Sequence, residues 1–477
     1  MKCTGYTFAL TLAAVLIAGT LTGCDSLTDG YDQDPNSPTS SPSSLNLSGM
    51  QVSLIGLHET HAARVSGMWA DQFTGANGQY TGLNQYSMNA DEFNGEWADV
   101  FPNILGEALV LKGTARKAND QLTLGIAQIV EAQTYGTMAA LFGDIPFDEV
   151  GQGDENLNPA FQNQDVVYDQ LTDSLETAVS NISAGAGSGG PGDHDLFFGG
   201  EATPWAEVGN TLRARYELHQ GNYQVALDAA KNGISTRDNE LVAPHSSGTR
   251  DMDMNTWYAF LTLEREDYLI STGASAVSRL DSRENSKTDE DARKAFYYGG
   301  DPGQLNYVDG AYQRDSPFPL VTRAENELIR AEAILQTGDE TAASVQQNAI
   351  DALNSAREAN DAKYAPGMDN YQDYVRTDFQ AGGMARPSDV SSTANAILEE
   401  ILEEKYFSLI GRIEAFNDLR RTDNFIDVPT KGANITGLPQ RFLLPQVSQN
   451  ANANAPDNPP RLDEETRVNS NIDYTGF

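Results

Sequence analysis

Four glutamates in one run, Glu399, Glu400, Glu403 and Glu404, form a dense set of groups that could do acid–base chemistry. Paired carboxylates hydrolyse glycosidic bonds when they flank a cleft. At i, i+1, i+4 and i+5 of a helix they instead spread round its outside, so a solvated stripe is the expected reading. Asp251 and Asp253 in RDMDMN hint at calcium, but the full spaced loop with its closing glutamate is absent. The five histidines are too scattered for a zinc site, and His58 and His61, at i and i+3, read as surface residues. No G-x-S-x-G or phosphate loop accompanies a strand–helix pattern. Arg420 and Arg421 read as ion-pairing groups at a helix C-terminus. Neither a catalytic centre, a metal nor a cofactor is expected.

Binding is a different matter. A face that holds a pyranose needs flat rings against its C–H surface and amides for its hydroxyls. The segment MWADQFTGANGQYTGLNQYSMNADEFNGEW, residues 68–97, is rich in both. Its glycines and missing periodicity predict an exposed loop, where binding residues concentrate. Trp69, Tyr80 and Tyr86 are the candidate platforms, with Asn77, Gln79 and Asn84 as polar partners. Trp97, which opens a helix with Phe101, Ile104 and Leu105, reads as a core anchor. Trp257 and Tyr258, on a helix face, are a second candidate pair.

The elements that must position these residues are helical. Apolar spacing predicts a helix from Leu122 to Leu141, stopped by Gly143 and Pro146. A second is predicted from Gln164 to Ile182, followed by the glycine-rich SAGAGSGGPGDHD. Residues 204–235 and 322–358 each resemble a tetratricopeptide helix pair, with turns at Gly221-Asn222 and Gly338-Asp339. Two such pairs are too few for a free-standing solenoid and predict a scaffold for the remaining chain. One last helix is predicted from Ala394 to Arg421, then an extended stretch, LPQRFLLPQ, and an Asn- and Pro-rich coil. The fold class is mainly α, with long loops and few short strands.

The ends and the charge set the context. Lys2, the apolar run Phe8–Ala18 and Leu21-Thr22-Gly23-Cys24 have the order of an export signal, and the run is too short to span a bilayer. Residues 1–23 are expected to be a signal peptide, 24–47 a Ser- and Pro-rich tether, and 48–477 a single domain. Cys3 and Cys24 are the two cysteines, so the mature chain has no pair for a disulfide. Asp plus Glu number 68 against 31 Lys plus Arg, a net charge of −37, which excludes nucleic acid as a partner. Nine of the 31 basic residues are lysine, a balance that suits salt-rich surroundings, where self-repulsion is screened.

Three passages together resemble the SusD/RagB family of outer-membrane lipoproteins. They are EAQTYGTMAALFGDIPFDEV (131–150), ILEEKYFSLIGRIEAFNDLRRT (401–422) and LPQRFLLPQ (438–446). The helix pairs fit, and Leu21–Cys24 resembles the lipobox cut before a lipid-modified cysteine. The sequence departs from the family pattern at Val447-Ser448, where a glutamate is usual. The resemblance implies a SusD-like helical fold and lipidation at Cys24. It also implies a place on the outer face of the outer membrane. There the protein would capture an oligosaccharide, or in some branches a peptide, as a lid on a SusC-like TonB-dependent transporter, without bond-breaking chemistry. A tetratricopeptide scaffold for other surface proteins and a surface glycosidase are the alternatives.

Overall fold

The computed structural model describes residues 43–152, 156–248, 253–299, 303–364, 366–386, 391–432, 435–472, 474 and 476–477. Cys24 and Asp251 lie outside them. The first helix, Ser43–Glu59, begins inside the expected tether, and Leu47 is fully buried. The folded body therefore starts earlier than composition suggested.

The Gln121–Phe142 helix is the axis of the core. All its residues are buried except Gln121 and Glu131, as expected of a helix apolar on every side. Asp120 caps its first turn by accepting from Thr123 N. Gly136 faces Tyr216 so closely that a Cβ there would lie 2.2 Å from the ring. The Gln164–Gly185 helix runs against it, three residues longer than expected.

The helix pairs form as the sequence suggests: Ala202–His219 with Tyr223–Ala230, and Arg323–Thr337 with Ala343–Tyr364. Gly221, at φ +74°, makes the first turn in the left-handed region that glycine tolerates. Far apart in sequence, the pairs are neighbours in space. Ala214, Leu218, Ala226, Ala229 and Ala230 close on Ile329, and Arg215 Nε donates to Glu325 at 2.6 Å. The intervening chain leaves this scaffold and returns to it.

Among the described residues, six short strands pair antiparallel in twos. They are β1 (Thr74–Gly75), β2 (Ile145–Pro146), β3 (Phe161–Gln162), β4 (Leu241–Ala243), β5 (Leu269–Ile270) and β6 (Phe318–Val321). The pairs are β1 with β5, β2 with β3, and β4 with β6.

The expected helix 394–421 is two helices, Thr393–Ser408 and Ile413–Arg421. Gly411, at φ +77°, breaks it, and the freed N–H donates to Gln72 Oε1 at 3.0 Å. Apolar periodicity continues across the break because both segments face the same core. The LPQRFLLPQ stretch joins no sheet. Instead it closes the C-terminus of the 121–142 helix, whose last carbonyls have no partner within it. Phe442 N donates to Leu141 O at 2.7 Å, and Arg441 Nη1 to Phe142 O at 3.3 Å.

The four glutamates are not a solvated stripe. Glu404 is fully buried and receives Arg293 at 2.6 Å and Arg283 at 2.9 Å. Arg283 also holds Glu400 at 2.5 Å, and Arg279 holds Glu403 at 2.6 Å. Helical spacing gave the register of these carboxylates. It could not foresee the arginines brought over them from the 275–298 segment.

Candidate functional site

Most of the rings singled out from sequence are core residues. Trp69 has no exposed surface; its indole donates to Leu83 O at 3.0 Å, and Phe416 and Phe442 meet it edge-on at 5.3 and 5.1 Å. Tyr80 (2 % exposed) accepts from Arg64 Nε at 2.9 Å, and Tyr86 (3 %) from Lys431 N at 3.1 Å. Trp257 is fully buried and stacks on Tyr312 at 4.8 Å. None of the four presents a ring face to a ligand in this conformation. Segment 68–97 is not an exposed loop: short helices at Gln79–Asn84 and Asn94–Val100 tuck its rings inward, and pieces this short leave no periodicity to read. Trp97 is the core anchor expected, packed on Phe101 and Phe142.

The polar candidates divide. Asn84 is structural, its Oδ1 accepting from Gly75 N at 3.1 Å and Lys431 Nζ at 3.2 Å. Asn77 is exposed and donates to Asp267 O at 3.0 Å. Gln79 is exposed, and Tyr258 is half-buried with Arg314 6.0 Å from its ring centre.

The β1–β5 pairing, Thr74 opposite Ile270 and Gly75 opposite Leu269, joins the segment after the His61–Trp69 helix to residues 258–270. Gly78, at φ +54°, lets the chain pass Tyr268: a Cβ there would lie 2.6 Å from the phenol oxygen. Two adjoining cavities flank β5. One, of about 240 Å³, has Thr262, Glu266, Asp267, Gln304 and Tyr307 over an apolar floor that includes Leu261, Leu269 and Leu305. The other, of about 580 Å³, is lined in part by the small hydroxyl residues Ser271, Thr272, Ser275 and Ser278. Gly303 lines this second cavity, and the next two residues, Gln304 and Leu305, line the first. Tyr268 and Tyr307 are partly exposed, and Tyr307 Oη donates to Gln304 Oε1 at 3.2 Å. Partly exposed rings, hydroxyls and an amide are what a hydroxylated ligand needs. Sequence reading missed Tyr268, Tyr307 and Gln304 because they lie in unpatterned stretches, and Tyr268 adjoins Ala76 and Gly78 from far along the chain.

Behind Tyr80 lies a further cleft of about 560 Å³, lined in part by Thr60, His61, Gln79, Glu92, Glu96 and Asn103. His61 lies 2.7 Å from Glu96 and 3.0 Å from Glu92. Burial pulls its pKa down, but the hydrogen bonds to both carboxylates prevail and raise it to about 9. Nor is His58 a surface residue: it is 5 % exposed beside Thr137 and Gln133, and burial, reinforced by Arg215, lowers its pKa to about 3. Glu92 and Glu96 serve the same imidazolium, so they do not face each other across a substrate gap. Among the described residues, Glu284, Asp289 and Asp291 could share a cation, but all three are exposed surface groups. Arg421 makes the expected ion pairs, with Glu332 and Asp418, each at 2.6 Å.

A helical scaffold carrying a polar, tyrosine-edged surface is the architecture of a binding protein. The chain belongs to the SusD-like family, described as starch-binding associating with outer membrane, whose sequence profile matches residues 35–445. None of the curated proteins compared with it is similar in sequence. Solved structures share the fold. A chitin-binding SusD homolog from Flavobacterium johnsoniae matches with TM-score 0.66 at 16 % identity, over 90 % of this chain and 99 % of that one. A SusD homolog from Bacteroides uniformis matches with TM-score 0.68 at 14 % identity, over 90 % and 99 %. A SusD/RagB family protein from Bacteroides thetaiotaomicron matches with TM-score 0.65 at 17 % identity, over 87 % and 95 %. Among the described residues no helix is long and apolar enough to cross a membrane.

Proposed function

We propose that this protein captures an oligosaccharide on the face along β5 and passes it to a SusC-like TonB-dependent transporter. It does so at the outer surface of the outer membrane, held there by lipid on Cys24. The observation that carries the reading is the pair of adjoining cavities along β5, lined by Tyr307, Gln304 and several serines and threonines, with Tyr268 just before β5 in the chain. The family's description supports a carbohydrate ligand and an outer-membrane site. The chitin-binding relative is a precedent for a chain of pyranoses on this fold. Ligand capture needs no catalytic group, and the acid–base candidates are engaged elsewhere: Glu404 and Glu400 with arginines, Glu92 and Glu96 with His61.

The test is a glycan array probed with the body from Leu45 onward, with any binder then titrated by calorimetry. Binding of a glycan without release of shorter products supports the proposal. Product release would restore the glycosidase reading, and silence on every glycan, with co-purification of proteins other than a transporter, would restore the scaffold.

A further inference from the structure

We infer that the face along β5 selects by charge: it takes amine-bearing and neutral chains and rejects uronates and other polyanions. This rests on the reading of that face as a glycan site.

Among the described residues, four charged ones line the two cavities, Asp71, Glu266, Asp267 and Asp281; all are acidic, and no lysine or arginine is among them. Two of the charges are already answered. Asp71 pairs with Lys431 at 2.5 Å, and Asp281 pairs with Lys294. Glu266 and Asp267 are exposed, and among the described residues neither has a cation within ion-pair distance. Arg265 stands beside them in the chain but lines neither cavity. Its guanidinium lies 5.7 Å from the Tyr268 ring centre and donates to Glu264 O at 3.0 Å.

A bound uronate would bring one carboxylate per sugar to this surface. Each would lose water without gaining the guanidinium or ammonium partner that usually receives it. Each would also face Glu266 and Asp267, within a chain whose net charge of −37 adds repulsion of the same sign. An ammonium group on the same backbone would meet two unpaired carboxylates. Because these groups are exposed, the discrimination must weaken with salt, over the Debye length of about 8 Å at physiological ionic strength.

The experiment compares hexasaccharides of glucose, glucosamine and glucuronate, in α-1,4 and β-1,4 linkage, by calorimetry at low and high salt. The double variant Glu266→Gln/Asp267→Asn is measured alongside. Asparagine suits position 267, where φ is +63°. At low salt the expected order is glucosamine, then glucose, then glucuronate, with glucuronate about tenfold or more weaker than glucose. In about 0.5 M salt, or in the double variant, the gap should fall to a few-fold. Glucuronate equal to or tighter than glucose, or an unchanged gap in the variant, overturns the inference while leaving a glycan site standing. No binding by any of the six chains overturns it too, and removes the glycan reading itself once the full array is also silent.

Discussion

Arg420 donates from Nη2 to the carbonyl of Ala140 at 2.9 Å, inside the core. From Nη1 it donates to Gln440 O at 2.6 Å. The three sequence motifs at 131–150, 401–422 and 438–446 meet at this one guanidinium. No carboxylate balances its charge closely, and burial lowers its pKa to about 9. The helix C-terminus supplies the stabilisation instead, through carbonyls that would otherwise lack partners.

Arg420→Met should therefore cost about 2–5 kcal/mol, because it strands one buried carbonyl, Ala140 O, and one partly buried, Gln440 O. Chemical denaturation measures it. A loss under about 1 kcal/mol would mean that water replaces the guanidinium at no penalty.

Glu404→Gln should be of similar severity. The carboxylate receives Arg293, Arg283 and Asn360, and both arginines are buried. Removing its charge leaves an excess of buried positive charge, expected to cost about 3–5 kcal/mol. If ligand affinity falls while the melting temperature holds, Glu404 belongs to a site after all.

The two histidines predict opposite pH limbs. Buried His58 has a folded pKa of about 3, below its ordinary 6.5, so its neutral form favours the fold above pH 6.5, and that contribution is lost as pH falls towards 3. His61 has a folded pKa of about 9, so its contribution is complete below pH 6.5 and is lost as pH rises through 9. Each window is worth about 3–5 kcal/mol. His58→Gln should flatten the acid limb of stability against pH, and His61→Gln the alkaline limb. Parallel curves for wild type and both variants would contradict the assignment.

Cys24→Ala should move the protein from the membrane to the soluble fraction while leaving glycan affinity within twofold of wild type, about 0.4 kcal/mol. Fractionation and calorimetry read the two effects separately. Loss of both would mean that the cysteine does more than anchor.

Much of the scaffold was legible in the sequence. Leu122–Leu141 and both helix pairs carry strong apolar periodicity, and their glycine turns fall where expected. The proposed ligand face was much less so. An aromatic in an unpatterned stretch reads as exposed, yet Trp69 and Trp257 are buried to the last atom because short helices fold them inward. Asn77, which is exposed, donates to Asp267 O at 3.0 Å. Tyr268 is brought to β1 by a two-residue strand pairing, and the segment that carries Tyr307 meets the end of β5 through the Ser271 N to Gly303 O hydrogen bond, neither of which leaves a pattern in the sequence.

The most direct test of the account is calorimetry with the best array binder on wild type, Tyr307→Ala and Trp69→Phe. Tyr307 is the partly exposed ring that lines a cavity, and losing one stacking platform and its hydrogen bond should weaken binding about tenfold or more. Trp69→Phe should lower stability by about 1–3 kcal/mol and leave the affinity of the folded fraction unchanged. The reverse pattern, affinity lost at Trp69 and kept at Tyr307, would contradict the placement of the ligand face along β5.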